Sequence, residues 1–452
     1  MNRSRPRFDR VFARLVPSEY LAMEGGARAL GRTFAIAVAI RLVLMPIACH
    51  SDLISTYHRA YTALNSFHPR YWLPHELIQA FVLMLVSPFL ALDEMLVWEG
   101  AKHTASMEFW LETFAPHPQV FLALFLFKLP YLFCDLAIAL VLLRLFCDAP
   151  ARGLRAVSMW LLNPITIFVF YVFGRHDSVA ILLVAFALLG IHRSRPLAGA
   201  FALGLAIWSR YWPVFLLPFL VLFASGAWRK RLQLVVLALV PILLFNIGAS
   251  FGGAGFVKLP AAKMARSTFA SYLTDFNVEM GWAQTLFVFP VVYALLLMFA
   301  SVAKPRGDML VRLSAFGFVC LSLLYATAFF HPQYFTWCLL FLVILRASSN
   351  SVVLRNLHYM QILLMVPYTF YWKKTLFGFL LAPLDPDFFR ALPAPADWLA
   401  AFGSPLIFVN LARTLLSTIC VFMAGWVLFE GDERVAQNDA STSPAGSMAA
   451  AR

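Results

Sequence analysis

The chain has little charge for its length. Of 452 residues only 13% are Asp, Glu, Lys or Arg, while 61% are hydrophobic. A soluble protein of this size carries about 25% charged residues on its wetted surface, so an ordinary soluble fold is excluded. Cysteine is scarce too. Cys49, Cys134, Cys147, Cys320, Cys338 and Cys420 are scattered, lie in or beside apolar segments and form no CxxC pair. That spacing indicates neither a disulfide framework nor a zinc site, and reads as buried structural thiols. Acids are in deficit, 23 against 36 bases, for a net charge of +13. The bases fall in short clusters between apolar runs, which is the positive-inside pattern of membrane proteins rather than a nucleic-acid stripe. Neither an internal repeat nor a cleavable leader is evident. Residues 1–32 form a basic arm with seven arginines and three acids, and the apolar run that follows is too long and wrongly flanked for a removed signal.

Apolar runs are what the chain has in abundance. Hydrophobic spans are expected at about 33–49, 119–146, 154–173, 178–191, 197–209, 211–226, 232–250, 283–301, 309–329, 334–346, 356–372 and 403–428. This predicts an all-α polytopic membrane protein with one transmembrane domain over 33–430. The clusters in the N-terminal arm, at Arg152 and Arg155, at 192–195, at 228–231, at 304–306 and from Arg346 to Arg355 then share one side, assigned to the cytoplasm. The apolar stretch 77–98 would reverse every later loop if it crossed. With Asp93 and Glu94 near its end, it reads as re-entrant or interfacial. Residues 50–118 thereby become one large outer loop, with seven acids, three bases and six of the ten histidines. Further outer loops cover 251–282 and the Pro-rich 373–402. The polar tail, 431–452, reads as disordered.

The segments 178–191, 197–209 and 334–346 have about 13 residues each, roughly 20 Å of helix. A hydrocarbon layer of about 30 Å needs more. Such pieces read as broken helices whose polar ends meet in a cavity. The breaks are Gly174-Arg175-His176-Asp177-Ser178, Ser209-Arg210-Tyr211-Trp212-Pro213 and His331-Pro332-Gln333-Tyr334, all on the expected outer side.

Each candidate has a functional and a plain reading. Asp52, just past the first span beside His50, can accept a proton from a hydroxyl, or can be a solvated loop acid. Arg175, His176 and Asp177 are costly near a membrane unless they line a cavity and pair; Asp177 and Ser178 also stand where a helix N-cap would fall. The preceding Asn163-Pro164 allows a bend. Arg210 suits a phosphate, and its aromatic neighbours suit an isoprenoid chain or an interfacial belt. His331, Gln333 and Tyr334 can hold a phosphate or sugar hydroxyl, or can form a belt and helix start. Lys128 and Asp135, about 10 Å apart on one helical face, are too distant for an ion pair and can both line the cavity, or Lys128 can snorkel. As a set these residues suit transfer from a sugar phosphate lipid. The phosphate leaves without protonation, so one carboxylate base and several cations suffice.

The ordered motifs resemble the GT-C superfamily of polyprenol-phosphate-sugar-dependent glycosyltransferases. The likeness is nearest to the mannosyltransferase branch that includes the catalytic subunit of glycosylphosphatidylinositol mannosyltransferase I. It rests on His50-Ser51-Asp52, on Phe127-Lys128-Leu129-Pro130 with Asp135, on Asn163-Pro164 with Gly174-Arg175-His176-Asp177-Ser178, and on His331-Pro332-Gln333-Tyr334-Phe335-Thr336-Trp337. It covers about residues 33–346. The resemblance implies an inverting transfer at the outer face with Asp52 as base, a polyprenyl phosphate sugar (mannose favoured) as donor, a lipid, glycan or protein acceptor, and neither cofactor nor metal. Arg175 replaces a common Gln, Arg210 replaces a common Lys, and a second acid beside Asp52 is absent.

Two other classes fit the same composition. A secondary transporter or flippase also has broken helices around charges, and a lipid-linked glycan polymerase or ligase would transfer a whole oligosaccharide. A scaffold subunit is a third. Arginines outnumber lysines 28 to 8, which favours a bacterial inner membrane over the endoplasmic reticulum. Membrane lipids are the expected surroundings, and no nucleic-acid partner is expected.

Overall fold

The computed structural model describes residues 15–66, 73–96, 110–224, 226–249, 273–274, 276–303, 308–329, 331–349 and 351–442. Part of the basic arm (1–14), parts of the outer loop (67–72 and 97–109), most of loop 251–282, the 304–306 cluster and the end of the tail lie outside the described residues.

The chain is mostly helical. Its main helices are α1 (Gly26–Ile47), α2 (Ser51–Ser66), α3 (Pro74–Val86), α4 (Val120–Leu145), α5 (Pro150–Leu161), α6 (Pro164–Phe173), α7 (Asp177–His192), α8 (Pro196–Ser209), α9 (Trp212–Ala224, opening with a 3₁₀ turn), α10 (Trp228–Ala249), α11 (Val288–Val302), α12 (Met309–Thr327), α13 (Thr336–Ser349), α14 (Val352–Thr369) and α15 (Pro405–Thr442). Among the described residues four helices are long and apolar enough to cross a membrane: α1, α4, α12 and the Pro405–Phe429 part of α15. A fifth arises if α5 and α6, bent by 44° at the Asn163-Pro164 break, count as one span. The Asn163 side chain accepts the Ile165 N–H at 2.9 Å, so the break is capped rather than frayed.

Several other expected spans are shorter than the bilayer is thick, whereas α10 and α14, at 22 and 18 residues, are not among the short ones. Helices α3, α7, α8, α9 and α11 have 10–17 residues. The described part of the stretch 77–98 splits into α3 and the one-turn helix Leu92–Leu96, each too short to cross alone. Loop 373–402 is built of short turns and the helices Pro386–Ala391 and Pro395–Leu399.

Three boundaries differ from expectation. Helix α1 starts at Gly26, not 33. The span expected from 283 instead begins with a β-hairpin, Asn277–Gly281 paired antiparallel with Gln284–Phe287, so the fold is not purely α. Its turn residues Trp282 and Ala283 both have positive φ, the conformation a two-residue hairpin turn requires, without the Asn-Gly pair that would advertise it. Helix α15 continues to Thr442 through residues expected to be disordered.

Packing follows small residues and apolar faces. Helices α7 and α8 approach so closely that a Cβ on Gly190 would lie 2.8 Å from the Gly199 nitrogen. Backbone contact of this kind stands in for the hydrophobic drive that lipid cannot supply. Helix α13 is the centre: residues 336–345 are all buried, against α12, α5 and α7. Outward side chains are apolar and exposed, as at Val43 on α1, Phe133 on α4, Leu363 on α14 and Ile407 on α15. That exposed apolar surface suits lipid rather than water.

Candidate active site

The polar breaks meet at one end of the bundle. Beyond α1 the chain turns through Cys49 and His50, whose N–H groups donate to the Leu380 and Phe173 carbonyls at 2.8 and 3.0 Å. These bonds fix the entry to α2. The His50 ring stacks on Phe173 at 4.1 Å, and its Nδ1 accepts the Asp52 N–H at 3.1 Å. Asp52, in the first turn of α2, thus faces the end of α6.

Helix α6 ends in a π-helical turn, Phe168–Phe173, closed by Gly174 at φ +86°. The left-handed turn brings Arg175 against Asp52: Arg175 Nη1 donates to Asp52 Oδ2 at 2.7 Å. Arg175 Nε lies 3.5 Å from Asp177 Oδ2, so one guanidinium bridges two carboxylates. A Cβ on Gly174 would also meet Leu53 Cδ2 at 3.2 Å. Gly174→Ala is therefore expected to destabilise the protein by about 1–3 kcal/mol, the usual cost of a strained backbone position. Thermal unfolding in detergent checks this; an unchanged midpoint would mean that the turn relaxes freely.

Asp177 opens α7 but does not cap it, contrary to expectation. His176 holds the cap position without a side-chain cap bond. The Asp177 carboxylate is spent on three donors: Arg175, Arg210 Nη2 at 3.1 Å and Trp337 Nε1 at 2.9 Å. Tyr334 stacks on Trp337 at 4.4 Å and lies within electrostatic reach of Arg175. His331 packs on Trp372 and lies within electrostatic reach of Asp52. Burial pushes the His331 imidazole down to about 4, so the ring is neutral at physiological pH. Burial would raise the Asp52 carboxyl, but His50, Arg175, His331 and Arg59 outweigh it and hold the group below its ordinary value.

The structure therefore brings together His50, Asp52, Arg175, Asp177, Arg210, His331 and Tyr334. It turns others away from the open side. His176 is buried and stacked on His75 at 3.8 Å, its Nε2 without a partner among the described residues. Gln333 is buried, its Oε1 without a donor among the described residues. Lys128 and Asp135 do not line a cavity, because both are fully buried and satisfied by protein. Lys128 Nζ donates to the carbonyls of Met45 and Tyr171 at 2.8 and 2.9 Å and to that of Ala48. It ties the end of α1 to the turn before Gly174, and so sets the Asp52–Arg175 distance. Asp135 accepts from Arg41, Trp160 and Tyr171.

Sequence reasoning missed Arg41, Arg59, His75 and Glu76. Arg59 Nε donates to the buried Glu76 at 3.0 Å beside the cluster. Arg41 could have been found as the single charge inside the first apolar run; the loop residues carry no comparable signal.

An open apolar groove of about 730 Å³ lies between the end of α6 and the 373–402 loop. Its lining includes Phe168 and Val172 from α6 and Phe377, Leu380 and Trp398 from the 373–402 loop. Leu380 is the residue that holds Cys49, and Phe168 touches Phe173, so the groove reaches the back of the His50 turn. Comparisons with family models, with curated proteins and with solved structures return no match.

Proposed function

We propose that this chain is a multi-pass membrane glycosyltransferase of the GT-C kind. It moves one sugar, mannose favoured, from a polyprenyl phosphate to a lipid, glycan or protein acceptor at the outer face, with inversion. The observation that carries the reading is the chain of ion pairs from Asp52 through Arg175 and Asp177 to Arg210, with an apolar groove behind the His50 turn. Asp52 is the accessible carboxylate: its side chain is 31% exposed, against 0% for Asp177 and 3% for Glu76. It is the one an acceptor hydroxyl can reach.

The charges then account for the chemistry. Asp52 and Asp177 balance Arg175 and Arg210. The acceptor oxygen attacks the sugar C1, its proton passes to Asp52, and the bond from C1 to the phosphate oxygen breaks. The phosphate diester becomes a monoester and gains one negative charge while Asp52 loses one. Protonation releases Arg175 Nη1 from Asp52 at the moment the phosphate needs a cation, so the stabilisation falls in the transition state. The groove suits the isoprenoid chain.

Purified protein in nanodiscs, given a panel of polyprenyl phosphate sugars and membrane lipid extract, is expected to release polyprenyl phosphate with at least one donor. Absence of release across the panel, together with uptake of a solute or lipid by proteoliposomes, would replace this reading with the carrier.

A further inference from the structure

A polar pocket lies at the end of the bundle away from the Asp52–Arg175 cluster. Arg155 stands near the start of the α5–α6 pair, whose far end carries Arg175. Arg346 stands in the last turns of α13, whose beginning follows Tyr334. These two, with Arg355 in the first turn of α14, line a pocket of about 360 Å³. Ser158 and Ser351 add hydroxyls; Leu154, Met159 and Val352 add an apolar flank. No carboxylate among the described residues lines it.

Three cations around one small space repel one another unless an anion joins them. Their own bonds leave capacity. Arg155 Nη2 donates to the Ala347 carbonyl at 3.3 Å, while its Nε is buried without a partner among the described residues. Among the described residues Arg355 Nε donates to the neighbouring Asn356 amide oxygen, at 3.3 Å. Arg346 packs over the Tyr359 ring, its charge centre 5.8 Å from the ring centroid. The N-terminus of the 18-residue α14 opens on the same pocket at Ser351 and Val352. Its positive end adds to the field.

We propose that this pocket binds a phosphate group at the membrane surface, that of an anionic phospholipid headgroup. Guanidinium forks match phosphate oxygens in geometry as well as charge. The apolar flank, with Val352 54% exposed, gives the acyl chains a place beside the headgroup. Basic pockets between helices at the end bearing the basic loops are where such lipids are held.

The test is ligand-dependent thermal unfolding of the full chain in neutral detergent. Probes are phosphatidylglycerol, phosphatidylcholine and inorganic phosphate. Phosphatidylglycerol is expected to raise the midpoint in a saturable way, phosphatidylcholine is not, and Arg155→Gln with Arg346→Gln is expected to abolish the rise. Arg152→Gln, exposed and outside the lining, is the control and should respond as wild type. Should the double variant fail to fold, Arg355→Gln is expected to raise the half-saturating lipid concentration about tenfold, the loss of one charge-assisted contact. A rise with inorganic phosphate that also needs the arginines keeps the phosphate site and makes the free ion sufficient; a rise with lipid alone makes the headgroup the ligand. Equal rises with both lipids, or an undiminished rise in the arginine variants, would overturn the proposal, as would no rise with any probe.

Discussion

Asp52→Asn is expected to fold as the wild type does and to lose sugar transfer by about 10²- to 10⁴-fold, the range for removal of a general base. Asn keeps the shape of Asp and can still accept the hydrogen bond that Arg175 Nη1 now gives to Asp52 Oδ2 at 2.7 Å. It cannot take the acceptor proton. The substitution also removes one negative charge from a balanced cluster, so the donor phosphate should bind no worse. The loss should therefore appear in kcat, with the KM for the donor unchanged or lower. Initial rates of polyprenyl phosphate release over a range of donor concentrations make the distinction. A raised KM with kcat intact would make Asp52 a binding group; equal rates would remove it from the reaction.

Much of the site was readable because a polar residue inside an apolar stretch has few ways to be stable. It must find a partner, and the partners available are other polar breaks. Asp52, Arg175, Arg210 and His331 come from four separate places in the chain, and each interrupts or ends an apolar run. Their meeting follows from that shared difficulty. Which way each side chain points does not. His176 and Gln333 lie in the same breaks as Arg175 and His331 yet are buried, and the ring on which His176 stacks, His75, opens a helix in a part of the chain far from that break in sequence.

The fold shows the same division. The long spans were legible from length and apolarity, and the Asn163-Pro164 bend from its proline. The hairpin at 277–287 was not, because its strand Gln284–Phe287 runs directly into the apolar helix α11 and its turn has no glycine or asparagine at the two central positions. Lys128 was legible as an unusual charge within a span. Its three carbonyl partners on α1 and α6 depend on tertiary contacts that spacing along α4 does not encode.

Asp135→Asn is expected to cost about 3–5 kcal/mol of stability, the usual result of stripping one partner from a buried ion pair. Asp135 and Arg41 are both 0% exposed, with Arg41 Nε donating to Asp135 Oδ2 at 2.7 Å. Trp160 Nε1 donates to the other oxygen at 2.6 Å, and the Tyr171 hydroxyl to Oδ2 at 2.8 Å. The variant keeps the volume but leaves the Arg41 cation uncompensated among apolar helices. These partners come from α1, α4, α5 and α6, and Tyr171 lies in the π-helical turn that ends at Gly174. Loosening them frees the frame that sets Asp52 against Arg175, so transfer should fall together with the unfolding midpoint. Removing both charges with Arg41→Met and Asp135→Asn should recover much of the loss, because the desolvated cation is gone. A double-mutant cycle on unfolding in detergent measures the coupling. A double variant no more stable than Asp135→Asn alone would locate the cost in the Trp160 and Tyr171 bonds rather than in the ion pair.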